Sequence, residues 1–260
     1  MPEHAPGERR VVVAAILVFA AASAITLFFV DTMSGGMKMP GDWTMSMMWL
    51  PMPGQGALAA AAMFVFMWIA MMVAMMLPSA LPTLLIYRRV MLFRGESQLG
   101  LRTSLVGAGY FTIWAAFGII AYGFGLAIAH SAMHSELASR HVPIAAGLAL
   151  VVAGLWQLTP WKFACLKHCR HPLRALAQHL GGRSRGAFGF GAHHGAYCAG
   201  CCWGLMLMLL VIGTMNLVAM ILAAALIAAE KLLVHGEVIA RGVGITAIGA
   251  GVWLAARSLP

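Results

Sequence analysis

Residues 57–86 read ALAAAAMFVFMWIAMMVAMMLPSALPTLLI, thirty positions without a charged side chain. A helix needs roughly 20 mostly apolar residues to cross a bilayer's hydrocarbon core of about 30 Å. Backbone polar groups in lipid must be paired within the segment, so a run of this length is read as a helix rather than a strand. Five further runs of the same character lie on either side, at about 11–30, 104–129, 142–160, 203–229 and 238–256. The expected fold is all-α: a polytopic transmembrane helix bundle of about six spans, forming a single integral membrane domain over residues 1–260. Pro78 and Pro82 should kink or end the second span. Ala22-Ser23-Ala24 resembles a signal-peptidase site, but the first run exceeds a signal peptide's apolar region and is read as an uncleaved span.

Composition agrees. Of 260 residues, 62% are apolar and 10% charged, and the mean hydropathy is +0.87. Soluble domains carry roughly 25% charged residues, so a water-exposed surface is excluded, as are disorder and a collagen repeat. The formal charge is +9. With the N-terminus inside, Arg9, Arg10, Arg88, Arg89, Arg94, Arg102, Lys162, Lys167, Arg170, Arg174, Arg183, Arg185 and Arg257 fall on the inner side. Lys38, Arg140, Lys231 and Arg241 fall outside. The positive-inside rule then gives an N-in/C-in chain in a bacterial cytoplasmic membrane, with lipid as its surroundings. The same placement accounts for the basicity, and no nucleic-acid motif accompanies it.

The five cysteines, Cys165, Cys169, Cys198, Cys201 and Cys202, all lie in the inner connection 161–202. Reduced cytosolic thiols disfavour disulfides there. Cys165/Cys169 and Cys198/Cys201 are spaced four and three apart, which turns each pair to one helix face and fits thiolate metal spacing. His168, His171, His193 and His194 are alternative nitrogen ligands, and Lys162, Lys167 and Arg170 stand near enough in sequence to offset a thiolate site's negative charge. Zinc suits four thiolates; copper(I) suits thiolate together with thioether. Free cysteines are also common as small buried hydrophobes. Residues 161–180 should form a basic amphipathic segment with Leu166, Leu173, Leu176 and Leu180 on its apolar side, followed by a Gly-rich linker at 181–195.

Leu155-Trp156-Gln157-Leu158-Thr159-Pro160, Lys162 and Cys165-Leu166-x₂-Cys169-Arg170-x-Pro172-Leu173 resemble a bacterial family of predicted metal-binding integral membrane proteins, domain of unknown function 2182. So do His194-Gly195-x-Tyr197-Cys198-x-Gly200-Cys201-Cys202-Trp203, Met215-Asn216-x₃-Met220, Glu230-Lys231 and Met71-x₂-Ala74-Met75-Met76-x-Pro78. The likeness covers most of 60–231. It implies a polytopic membrane protein whose matched Cys and His are metal ligands, and it supplies no activity.

Methionine is in excess at 20 residues. Met63, Met67, Met71 and Met75 recur every four positions along one flank of the second span, with Met72 and Met76 beside them. Cys201, Met208 and Met215 make a sparser line at heptad spacing in the fifth, with Met220 and Asn216 alongside, and Asn216 is read as interhelical glue. Such methionines are either soft ligands or flexible gap-fillers. The outer loop 31–56 holds Met33, Met37, Met39, Met45, Met47, Met48 and Met52 among Gly, Pro and Asp, with Trp43 and Trp49 as interfacial anchors. Neutral thioether sulfur selects copper(I) over harder ions. His130, Met133 and His134 at the outer end of the third span, with His235, are further outer candidates.

Of the eight acids, none lies deep in an expected span, and Glu230 should sit near the outer interface beside Lys231 or Arg241. A carboxylate relay, an ATP motif and a hydrolytic constellation are all missing, which disfavours a pump, a proton-coupled antiporter or another enzyme. The leading expectation is a membrane protein that binds or translocates copper(I) from outer methionines to inner thiolates, exchanging it with a metallochaperone or metalloenzyme. Rival expectations are a membrane scaffold with a Cys₄ zinc site and a thiol-disulfide oxidoreductase using Cys198-Ala199-Gly200-Cys201.

Overall fold

The computed structural model describes residues 7–33, 35–51, 54–180 and 186–258. Met52 and positions 181–185 lie outside them, and the rest of the expected Gly-rich linker is helical from Ala187 onward rather than a linker. Among the described residues nine α-helices succeed one another: α1 (Glu8–Met33), α2 (Ala57–Phe93), α3 (Leu99–His134), α4 (Glu136–Leu158), α5 (Pro160–Arg170), α6 (Pro172–Leu180), α7 (Ala187–Ile212), α8 (Leu217–Leu232) and α9 (Gly236–Arg257). An antiparallel hairpin, β1 (Gly36–Met39) and β2 (Trp43–Ser46), sits between α1 and α2 and pairs Met37 with Met45. The class is all-α, as expected. Six helices, α1, α2, α3, α4, α7 and α9, are long and apolar enough to cross a membrane.

The run at 203–229, expected as one span, is instead two helices running in opposite directions. Gly213 stops α7 at φ +118°, a left-handed conformation that glycine adopts without a Cβ clash. The Asn216 side chain then accepts the Ala219 N–H at 3.0 Å and caps α8, so it is a helix cap rather than interhelical glue. At this turn Thr214 donates to Met48 Sδ at 2.7 Å, beside the hairpin. At the other end of α8, Lys231 Nζ reaches Cys198 Sγ at 2.9 Å. An apolar run records the helix and is blind to its reversal.

The reversal also redirects the last helix. α9 returns antiparallel to α4, with Gly244 against Gly154 and Gly251 against Gly147. A Cβ on Gly251 would stand 2.5 Å from the Gly147 carbonyl oxygen, so the small residues let two backbones touch within the chain. The start of α4 belongs to the hairpin end, where Trp43 Nε1 donates to the Ser139 carbonyl at 3.0 Å. Glu8 pairs with Arg89 at the opposite, cysteine end. The start of α1 and the end of α9 therefore lie at opposite ends of the bundle, contrary to the N-in/C-in expectation. Arg241 also lies at the cysteine end, with its guanidinium 5.3 Å from the Phe163 ring centre.

Two smaller expectations also change. α2 continues through Pro78 and Pro82 to Phe93, because a helix packed among neighbours tolerates the loss of single backbone donors. The segment 161–180 breaks into two helices at His171–Pro172, which resets the helical register. Leu166 and Leu176 are buried, while Leu173 is 59% exposed.

A buried polar clasp holds α8 in place. Lys162 at the start of α5 donates to Glu230 Oε2 at 2.6 Å and also to Gln157 Oε1. The Gln157 amide donates to Glu230 Oε1 at 3.1 Å. All three residues are at most 1% exposed. Glu230 is thus neither near the hairpin end nor paired with Lys231 or Arg241. Removing one member strands a buried charge: Lys162→Met should cost about 3–5 kcal/mol, and adding Glu230→Leu should recover most of it. Thermal unfolding of the purified variants in detergent measures both.

Candidate metal centre

Cys198, Cys201 and Cys202 stand at i, i+3 and i+4 of α7, so they share one helix face. Their sulfur atoms all lie within 4.8 Å of one another, and the three residues are at most 1% exposed. The Cys201 and Cys202 sulfurs are 3.3 Å apart. Thr159 starts α5 by accepting the Lys162 N–H at 3.3 Å, and the clasp fixes that first turn. α5 then carries Cys169 to within 3.9 Å of the Cys201 sulfur. Four thiols from two helices therefore adjoin. Cys165, one turn earlier, is not one of the three sulfurs that lie within 4.8 Å of one another; a Cβ on Gly200 would stand 3.1 Å from its sulfur. Cys202 joins Cys198 and Cys201 because i+3 and i+4 straddle the same helical stripe.

The polar surroundings come from elements distant in sequence. Lys231 Nζ lies 2.9 Å from Cys198 Sγ and donates to Ser79 Oγ of α2 at 3.3 Å. The Tyr110 hydroxyl of α3 is 2.8 Å from the same sulfur. Of the cations expected to balance thiolate charge, Lys162 is held by Glu230, Arg170 donates to the Leu233 and Val234 carbonyls, and Lys167 is exposed. Lys231 is instead the cation placed against a sulfur of the cluster. Residue spacing singles out neither it nor Tyr110. The available signal was the glycine stop and asparagine cap at 213–216, which turn α8 back toward the cysteines.

Outside the long helices, burial pushes the Cys165 thiol above its ordinary range. The hydrogen bond to Cys198 holds Cys169 well above its own. Burial, with His193 nearby, lowers His168 and favours neutral imidazole, the form that binds metals. The His168 ring stacks on Tyr197 at 3.8 Å, and its buried Nε2 has no hydrogen-bond partner among the described residues. His194, one turn before Cys198, is buried with Nε2 3.4 Å from Thr83 Oγ1, and its Nδ1 is likewise unpartnered. An unmet buried nitrogen costs about 1–3 kcal/mol, and both sit beside a thiol cluster. Soft sulfur with adjacent imidazole is a donor set for copper(I) or zinc.

Met67, Met71 and Met75 of α2 are buried in the main core, as is Met220, while Met215 is half-buried. His130 and His134 are exposed, with ring centres 4.2 Å apart, and His134 Nδ1 is 2.8 Å from the His130 carbonyl oxygen. They stand at the end of α3 and do not join the thiol group.

A family model described as PpoB2, copper chaperone, matches residues 65–254, a range that includes all five cysteines. No curated protein and no solved structure matches the chain. If Lys231 balances the thiolates, Lys231→Met should weaken metal binding about 10–100-fold, the range for outer partners of a metal site. Cys165→Ser should leave it nearly unchanged. Competition titration with a chromogenic chelator compares the two.

Proposed function

The chain belongs to the PpoB2 copper-chaperone family, and on that premise we propose that it spans the bacterial cytoplasmic membrane, binds Cu(I) at the thiol cluster and conducts it across. The observation that carries this reading is the convergence of Cys198, Cys201 and Cys202 within 4.8 Å, with Cys169 3.9 Å from Cys201. Thiolate and thioether donors prefer Cu(I), and the chain supplies both on one bundle. Cys169, Cys198, Cys201 and Cys202 are the proposed core ligands, with His168 and His194 adjacent. Direction accords with donor strength, from neutral thioethers at the hairpin end to charged thiolates at the cysteine end. From there the ion passes to a metallochaperone or metalloenzyme.

Topology supports the orientation. Lys231 and Arg241 belong to the cysteine end and Arg257 to the hairpin end, so basic residues are more concentrated beside the cysteines than a six-span reading allowed. The positive-inside rule then makes the cysteine end cytoplasmic. With α8 as a short return pass, the two ends of the chain lie on opposite sides.

A structural zinc site is the second reading, favoured by four thiols drawn from two helices, which matches tetrahedral zinc. Elemental analysis of protein purified after copper or zinc supply separates the two. Copper bound under copper supply, and lost on Cys201→Ser, is expected. Zinc under both supplies would overturn the copper reading. Reporter fusions after Glu8 and after Arg257 should report opposite sides of the membrane.

A further inference from the structure

At the hairpin end is a cavity of about 260 Å³. Five of its twelve lining residues are methionine, against 20 of 260 in the chain. Met33 comes from the end of α1, Met47 and Met48 from the turn after β2, and Met63 and Met67 from the start of α2. We propose that these thioethers form a second Cu(I) site, the one that loads the ion before it reaches the thiols.

Methionine's ordinary role is to fill gaps. Here the side chains border a space far larger than the roughly 30 Å³ of one water. No carboxylate, imidazole or ammonium lines it, so it offers little to Mg²⁺, Ca²⁺ or Zn²⁺, whereas neutral soft sulfur suits a monovalent soft ion. Three chain segments must assemble to bring the sulfurs together. Thr214 donates to Met48 Sδ at 2.7 Å, which ties the cavity to the turn between α7 and α8.

The same helix leads onward. Met63 and Met67 line the cavity, and Met71 and Met75 continue the line at steps of four residues, about 6 Å each. Ser79 comes one turn after Met75 and shares Lys231 with Cys198. A line of thioethers on α2 therefore runs from the cavity to the edge of the thiol cluster. The cavity's role in loading rests on the copper reading above; its affinity for a soft cation does not.

Ag(I), a redox-inert stand-in for Cu(I), tests the site. A chain with Cys169, Cys198, Cys201 and Cys202 all changed to Ser should retain one weakly bound Ag(I) and lose it when Met33→Leu, Met47→Leu and Met63→Leu are added. Selenomethionine-labelled protein with its cysteines intact gives a readout independent of the serine variant's folding. Its selenium-edge spectrum should gain a metal–selenium shell on Ag(I) addition, diminished by the three leucines. No retained Ag(I) in a folded serine chain, or no metal–selenium shell, would overturn the thioether site and leave the thiol reading standing. Retained thioether binding without copper at the cysteines of the unaltered chain would overturn the thiol reading instead.

Discussion

Glu230 is the constraint on which the cysteine end is built. Its carboxylate is 1% exposed and meets Lys162 at 2.6 Å, with Gln157 bridging the two. A buried ion pair gains little over well-packed apolar residues, but it severely penalises any arrangement that separates its members. The end of α4, the first turn of α5 and the last turn of α8 are thereby held together. This has two direct consequences: α5 presents Cys169 to Cys201, and the residue after Glu230 is delivered to Cys198.

The bundle thus separates charge that fixes geometry from charge that faces sulfur. Lys162 is buried and Lys231 half-buried at the cysteine end. One meets a carboxylate and the other a thiol together with a serine hydroxyl. A site with three or four thiolates and a monovalent ion carries excess negative charge, and a neighbouring ammonium lowers the cost of holding it in a low-dielectric interior.

The methionine excess resolves into neighbouring populations. Met71, Met72, Met75 and Met76 are packed into the same core as Cys198, Cys201 and Cys202. Met33, Met47, Met48, Met63 and Met67 border open volume at the other end. The outer loop supplies three of the second group, Met33, Met47 and Met48, by folding rather than by trailing: Met37 pairs with Met45 across a hairpin, and Met45 and Met48 are buried. Trp43 and Trp49 act as packing anchors, against Ser139 and Phe64 respectively.

Helix class, most of the long helices and the shared face of Cys198 and Cys201 were legible in the sequence, because hydropathy and i, i+3 spacing are local properties of one helix. Which cysteine of α7 meets Cys169 of α5 was not legible, because that is a contact between helices. Chain direction was not legible in hydropathy: 203–229 is equally apolar whether it continues outward or turns at Gly213 and returns. That one turn moved Glu230 and Lys231 from the hairpin end to the cysteines and put the chain's two ends on opposite sides of the bundle. Which lysine faces sulfur, which glycines touch and which methionines enclose a cavity are contacts between helices, set by how buried surfaces and charges are satisfied jointly. Only the tertiary structure decided them.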